Sequence, residues 1–395
     1  MGDLDGAGEP RAEGHLASLS EVARLWTRLG SLGFGGPPTH IALLRRLCVE
    51  ERRWLDDADF EEAVAACNLL PGPASTQLAI YCAWRVRGRP GALVGALSFI
   101  LPGFVLITAL SALFLSGSPP EVVLGAGAGA GAAVAAVAVR SGVDLLGPSW
   151  QRTVSRARWV AYVAVGAVAT VLVGPRLVLV LLACGVVELV LRGAAGRPGR
   201  GHVPVAPLPV LATGLGAGTL ASLSWVALKV GALSYGGGFV IIPLMQADAV
   251  DRYGWMTDAG FLNAVALGQV TPGPVVLTVA VVGYAAAGAV GAALAALVAF
   301  SPSFLFIVVG GTHFDRLRAD RRAQAFLGGA GPAAIGAILG AALPLATALS
   351  AGWQVAVLAT AGVLLLVLRR EIVPTLLASG VAGAVLVGAG APLPG

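Results

Sequence analysis

The sequence predicts an all-α polytopic membrane protein of two homologous halves in inverted topology, each with a helix broken or made re-entrant by Pro-Gly-Pro. Three observations predict it. Of 395 residues, 57% are hydrophobic and only 12% charged, with a mean hydropathy of +0.84, whereas soluble domains carry roughly 25% charge. The chain matches itself at a fixed offset, and its arginines gather in loops in different patterns in the two halves.

Long uncharged runs set the element type. Residues 91–120 and 323–368 hold no charge, and about 20 apolar residues cross a hydrocarbon core of about 30 Å. The second run is therefore two helices, joined at Ser350, Ala351 and Gly352. Because the runs are continuous rather than alternating, they read as helices, which satisfy their own backbone in lipid. The polar N-terminal tail, placed at 1–17, has no apolar core of a signal peptide, so insertion is expected to rest on later helices. Cys48, Cys67, Cys82 and Cys184 form no C-x-x-C pair and read as buried free thiols. In such a chain the net charge of +5 is an orientation signal. It does not argue for nucleic acid.

The repeat organises the rest. At an offset of 201, Trp54 meets Trp255, Phe34 meets Tyr235, and Gly35 and Gly36 meet Gly236 and Gly237. The same register pairs Asp57 with Asp258, Phe60 with Phe261, Asn68 with Gln269, and Pro71-Gly72-Pro73 with Pro272-Gly273-Pro274. The first repeat is placed at 18–192, a basic Gly/Pro-rich cytoplasmic linker at 193–209 and the second repeat at 210–395. Each half then reads as one segment up to the glycines, an amphipathic connector, a segment interrupted by Pro-Gly-Pro, and four further segments. In the first half these segments are 18–33, 58–84, 91–116, 121–139, 159–174 and 176–191. In the second they are 210–234, 259–286, 288–311, 323–349, 353–368 and 372–392.

Arginine placement sets the topology. Arg45, Arg46, Arg52 and Arg53 precede the first Pro-Gly-Pro segment and Arg85, Arg87 and Arg89 follow it, so both ends read as cytoplasmic. A hairpin entering and leaving on one face satisfies this, with Pro-Gly-Pro at its bend. In the second half the matching ends carry Asp248, Asp251, Arg252 and Asp258, then no charge until His313 and Asp315, and read as external. The basic loop Arg316, Arg318, Arg321, Arg322 comes one segment later. One hairpin per half leaves an odd number of crossings, which inverts the second half, as in secondary transporters that bind substrate near the midplane. This scheme puts the N-terminal tail outside, against the pull of Glu21, Arg24 and Arg28.

Few residues can carry chemistry. A helix restarting after Pro-Gly-Pro offers free N–H groups and a positive dipole end to an anion. The restarted turns hold Ser75, Thr76 and Gln77 in one half and Thr278 in the other, donors suited to a tetrahedral oxyanion. The plain alternative is a kink. Lys229, the single lysine, sits in an otherwise uncharged segment, and an ionisable group there is a functional candidate. Arg28, at the matching position, either faces the same site or snorkels to the interface. Gly35, Gly36, Gly236 and Gly237 permit turns or close approach. His40 has no counterpart, since Ile241 takes its place, and Glu188 is either a proton carrier or, near a helix end, an interfacial group. The binding set is then Lys229, Arg28, Gly35, Gly36, His40, Asn68, Pro71, Gly72, Pro73, Ser75, Thr76 and Gln77, with Gly236, Gly237, Gln269, Thr271, Pro272, Gly273, Pro274 and Thr278 in the second half. No cofactor or metal is expected, no G-x-x-x-x-G-K-[ST] occurs, and the four histidines are too dispersed for an enzyme centre.

The strings Leu29-Gly30-Ser31-Leu32-Gly33-Phe34-Gly35-Gly36-Pro37, Thr39-His40-Ile41, Arg53-Trp54 and Leu70-Pro71-Gly72-Pro73 resemble the first domain of the chromate ion transporter family. Tyr235-Gly236-Gly237-Gly238, Tyr253-Gly254-Trp255, Gly268-Gln269-Val270-Thr271-Pro272-Gly273-Pro274 and Gly283-Tyr284 are similar to its second domain. The likeness spans nearly the whole chain, as in the long two-domain form. At Ala74 the chain departs from the family, where Asn often follows the first Pro-Gly-Pro. The resemblance implies secondary efflux of chromate, with sulfate as its natural mimic, through a multi-pass protein of a bacterial inner membrane. The partners expected are that oxyanion, the lipid bilayer, a coupling ion such as the proton, and a second copy of the chain in a homodimer. Transport of another anion and a non-transporting membrane scaffold are the alternatives.

Overall fold

The computed structural model describes residues 17–67, 72–115, 119–194, 218–234, 241–310 and 320–394. The N-terminal tail to residue 16, Asn68, Pro71, Gly236, Gly237, the 195–209 part of the linker, and the loop residues His313, Asp315, Arg316 and Arg318 lie outside these. Helix is the regular structure throughout the described residues.

In the first half, α1 (Leu19–Leu32) starts where the Ser18 hydroxyl accepts the Glu21 amide at 3.1 Å, an N-cap. Helix α2 (Pro37–Arg45) opens on two prolines, which a first helical turn tolerates, and passes into a π-helical turn at Arg46–Glu51. The first Pro-Gly-Pro separates α3 (Asp57–Cys67) from α4 (Ala74–Phe114). A sharp turn at Arg87 and Gly88 divides α4 into limbs 74–86 and 89–114. Helices α5 (Glu121–Ala132), α6 (Val134–Gln151), α7 (Arg156–Leu172) and α8 (Leu177–Ala194) complete the half. The segment expected at 121–139 thus runs as helix to Gln151, because Pro148 sits late enough in α6 to leave the helix unbroken.

The second half repeats this order. Helix α9 (Thr219–Leu233) precedes α10 (Ile241–Gln246) with its π-helical turn Ala247–Arg252, then α11 (Asp258–Val270). A 3-10 turn, Val275–Leu277, leads into α12 (Thr278–Gly310), followed by α13 (Arg321–Thr347), α14 (Gly352–Gly362) and α15 (Ile372–Gly388). Backbone specials recur with the sequence. Gly72 and Gly273 have φ of 120° and 102°, and Gly88 and Gly288 have φ of 64° and 63°. The offset is 201 at the first pair and 200 at the second. The 3-10 turn accounts for the lost residue: three residues rising about 2.0 Å each span what four α-helical residues span at about 1.5 Å.

The halves interlock. Helix α13 of the second half packs against α6, α7 and α8 of the first, while α5 of the first packs against α15 of the second. Small residues allow the close approach: Gly336 lies on the Val163 backbone and Gly129 on that of Ser379, the usual device between helices in lipid. Among the described residues, four helical stretches, 74–114, 121–151, 275–309 and 321–347, are long and apolar enough to cross a membrane. Leu97, Leu101 and Val105 on α4 and Leu297 and Val309 on α12 are exposed, as lipid-facing side chains are. All four cysteines are buried and free.

The first turn of α3 and the end of limb 74–86 lie side by side, since Arg85 reaches Asp59 at 2.6 Å. Arg45 is paired with Asp57 at 2.7 Å and also with Glu61. Arg45 and Arg85, two of the arginines that set the topology, are thus held in ion pairs to the first turns of α3.

Candidate functional site

Helix α1 stops at a glycine corner. Gly35 and Gly36 have φ of 97° and 77°, a region that favours glycine because Cβ would clash with the backbone. The corner aims Gly33 at the other half: its carbonyl accepts the Gly273 amide of the second Pro-Gly-Pro at 3.0 Å. The same carbonyl lies 2.9 Å from Nε2 of His40, which is 1% exposed and edge-on to Phe99. A carbonyl oxygen only accepts, so Nε2 carries the hydrogen. In the neutral ring Nδ1 then accepts from the Ser75 hydroxyl at 3.2 Å. Ser75 sits in the first turn of α4, directly after the first Pro-Gly-Pro. One chain of hydrogen bonds therefore runs from the second helix break, through Gly33 and His40, to the first.

The restarted turn is buried through Ser75, Thr76 and Gln77. Thr76 and Gln77 amides both bond the Pro73 carbonyl at 3.0 Å, so Ala74 and Ser75 supply the amides without helical acceptors. The Thr76 hydroxyl has no partner among the described residues. Gly72 lies where a Cβ would come 2.5 Å from the Gln77 amide and 2.8 Å from the Ser303 hydroxyl of α12. Ser303 is fully buried, and its hydroxyl is also unpartnered among the described residues.

At the second break, Gly103 of α4 packs on Pro272 and Leu277. The hydroxyls of Thr271 and Thr278 bond their own helix carbonyls, at Leu267 and Val275, each at 2.8 Å. Those two serve the backbone. The polar group left over is Gln269, whose Nε2 is buried without a partner among the described residues. Buried donors with no partner are rare in folded proteins and ask for an explanation. Thr76, Ser303 and Gln269 lie beside the two breaks, while the hydroxyls of Thr108, Ser141 and Ser234 are likewise unpartnered elsewhere among the described residues.

Lys229 is 8% exposed, and its ammonium pairs with the carboxylate of Asp248, which is 1% exposed and stands on the π-helical turn after α10. The Trp225 ring lies 5.7 Å from the same ammonium. Arg28, at the matching position of α1, is exposed, so the two cations are not equivalent: Leu47 stands where Asp248 stands in the other half. Glu188, towards the end of α8, is buried within the protein, with Arg158 at 3.0 Å, Arg192 at 2.6 Å and the Tyr162 hydroxyl at 3.0 Å. Sequence reasoning missed Asp248 and Ser303 as site residues. Asp248 carried a signal, being an acid opposite an apolar residue in the repeat; Ser303 carried none.

These features define a multi-pass helical membrane protein with an internal repeat and buried polar groups beside paired helix breaks. The chromate transporter family profile matches residues 20–189 and 221–385, one stretch in each half, and the chain belongs to that family. It is 33% identical over 386 residues to a chromate transport protein of Cupriavidus metallidurans, covering 94% of this chain and 92% of that protein. It is 32% identical over 345 residues to a chromate transport protein of Pseudomonas aeruginosa, covering 83% and 81%. An uncharacterized transporter of Methanocaldococcus jannaschii is 26% identical, covering 76% and 78%. No solved structure matches significantly.

Proposed function

We propose that this protein exports chromate, or a tetrahedral oxyanion like it such as sulfate, from the cytoplasm across the bacterial inner membrane as a secondary transporter. The observation that carries the reading is that Thr76, Ser303 and Gln269, donors without a partner among the described residues, lie beside two helix breaks linked through Gly33 and His40. Thr76, Ser303, Gln269 and the amides at the start of α4 offer hydrogen bonds to an anion's oxygens, and the dipole of the restarted helix adds partial positive charge. The relatives' names give the anion its identity. Chromate uptake into inverted vesicles, with sulfate and molybdate as competitors, tests it. Uptake no faster than in vesicles lacking the protein would end the transport reading.

The inverted arrangement of the halves is part of this proposal. Helix α3, of 11 residues, rises about 16 Å at about 1.5 Å per residue, and limb 74–86 about 20 Å; neither reaches across a core of about 30 Å. The Arg85–Asp59 pair joins their outer ends, as a hairpin requires. Reporter tags after Arg89, within 195–209 and after Arg322 are all expected to face the cytoplasm. A periplasmic signal from the Arg89 site would remove the hairpin, and with it the inversion.

His40 supports the reading as a positioning residue, because it fixes Ser75 against the opposite break. His40→Ala cuts both bonds, and a lost buried hydrogen bond costs about 1–3 kcal/mol. Chromate uptake is expected to fall roughly tenfold, with part retained in His40→Gln. Full uptake by His40→Ala would take the residue out of the site.

A further inference from the structure

A binding role for Lys229 meets one physical obstacle. Its ammonium is already matched by Asp248, in a pair almost wholly removed from solvent. A dianion cannot bind beside that carboxylate without strong like-charge repulsion, and a buried carboxylate stripped of its partner cation is costly unless neutralised. The surroundings offer Asp248 little else. Its second oxygen, Oδ1, has no hydrogen-bond partner among the described residues. The charged groups on the elements around it are Lys229 from α9, Asp251 and Arg252 on its own turn, Asp258 at the start of α11, and the exposed Arg176 from the turn before α8. Asp258 is bound to Gln246 at 3.1 Å. Asp251 and Asp258 line a cavity of about 290 Å³ that also reaches Ala247, the residue before Asp248, so water comes close to the carboxylate's own helical turn.

We infer that Asp248 is the built-in stand-in for the transported anion: it occupies Lys229 in the empty carrier, and the arriving dianion displaces it as the carboxylate takes up one proton from water. This deepens the transport reading and rests on it. No covalent bond forms or breaks other than O–H on Asp248. The empty site is neutral, as an ammonium and a carboxylate. The loaded site holds dianion, ammonium and neutral carboxyl, with net charge −1. One proton therefore travels with each dianion, and one negative charge moves per cycle. An inside-negative membrane potential drives that charge outward. The asymmetry of the repeat follows, because only one half needs the lysine and its stand-in, and the other half has Arg28 and Leu47 at those places.

The test is equilibrium binding of chromate to the purified full-length protein, over an alkaline range in which chromate stays a dianion. By linkage, binding that takes up one proton weakens about tenfold per pH unit rise while Asp248 is ionised in the empty form. A pH indicator in weakly buffered solution should record one proton taken up per anion bound, a measurement that needs no variant. Asp248→Asn resembles the protonated residue, so it is expected to bind chromate at least as tightly as the wild type, most visibly at high pH, with a flat pH profile and no proton uptake. Asp248→Glu should keep the slope. Wild-type binding without proton uptake, a slope that survives in Asp248→Asn, or weaker binding by Asp248→Asn would each overturn the inference while leaving transport standing. Absence of any chromate binding by the wild type would instead sink the transport reading beneath it.

Discussion

Lys229→Met is expected to reduce chromate uptake into vesicles a hundredfold or more at normal protein level. Removing one member of a buried charge pair costs about 3–5 kcal/mol, and each 1.4 kcal/mol is about tenfold in affinity. The bare variant mixes two effects, since it also strands Asp248. The double variant Lys229→Met/Asp248→Asn separates them, because replacing both members of a buried pair by neutral groups is often harmless to stability. If the pair were only a strut, the double variant would insert and transport normally. If Lys229 holds the anion, the double variant inserts normally and fails to transport. Lys229→Arg should retain part of the activity, because the charge stays while the reach and hydrogen-bond geometry change. Arg28→Met, on the exposed face of α1, is expected to leave uptake within about twofold of the wild type, since surface substitutions cost little.

How much of this was legible beforehand depends on whether a feature is written in side-chain identity or in packing. The duplication was legible because aromatic, acidic, glycine and proline positions recur in one register, and α11 and the turn that opens α12 lie either side of the second Pro-Gly-Pro. The register beyond the second break was not, since trading four α-helical residues for three in a 3-10 turn leaves no motif. Lys229 stood out as a lone cation in an apolar segment, yet its partner lies 19 residues on in another helical element, and no periodicity ties the two together. Thr271 and Thr278 read as ligand donors by type. Their hydroxyls instead close local turns, a habit of Ser and Thr in helices that composition cannot distinguish from binding. Ser303 looked like any small residue in α12, and only the proximity of Gly72 gives it a role. His40 was visible as an unmatched residue of the connector, while its task of joining the two breaks required both halves to be seen together.

The second large effect is expected at Gly72. Its φ of 120° lies beyond the left-handed helical well near +57° that other residues occasionally visit, so any side chain there strains the backbone. Space adds to strain, because an alanine Cβ would press on the Gln77 amide and the Ser303 hydroxyl, two groups of the proposed site. Gly88 provides the contrast. Its φ of 64° and ψ of −155° also lie in a region essentially confined to glycine, but a Cβ there meets nothing within 4 Å. Gly88→Ala should therefore carry about 1–3 kcal/mol of backbone strain without displacing any group beside the two breaks, and leave chromate uptake per inserted protein near normal. Gly72→Ala should insert into the membrane, since the lipid-facing helices are untouched, yet lose most of its uptake as the first Pro-Gly-Pro turn and the start of α4 shift out of register with α12. Uptake in vesicles, measured beside membrane-extracted protein level, reads both. Equal uptake by the two variants would mean that the conformation of the break at Gly72 has no part in transport, and the polar groups beside it would then need another explanation.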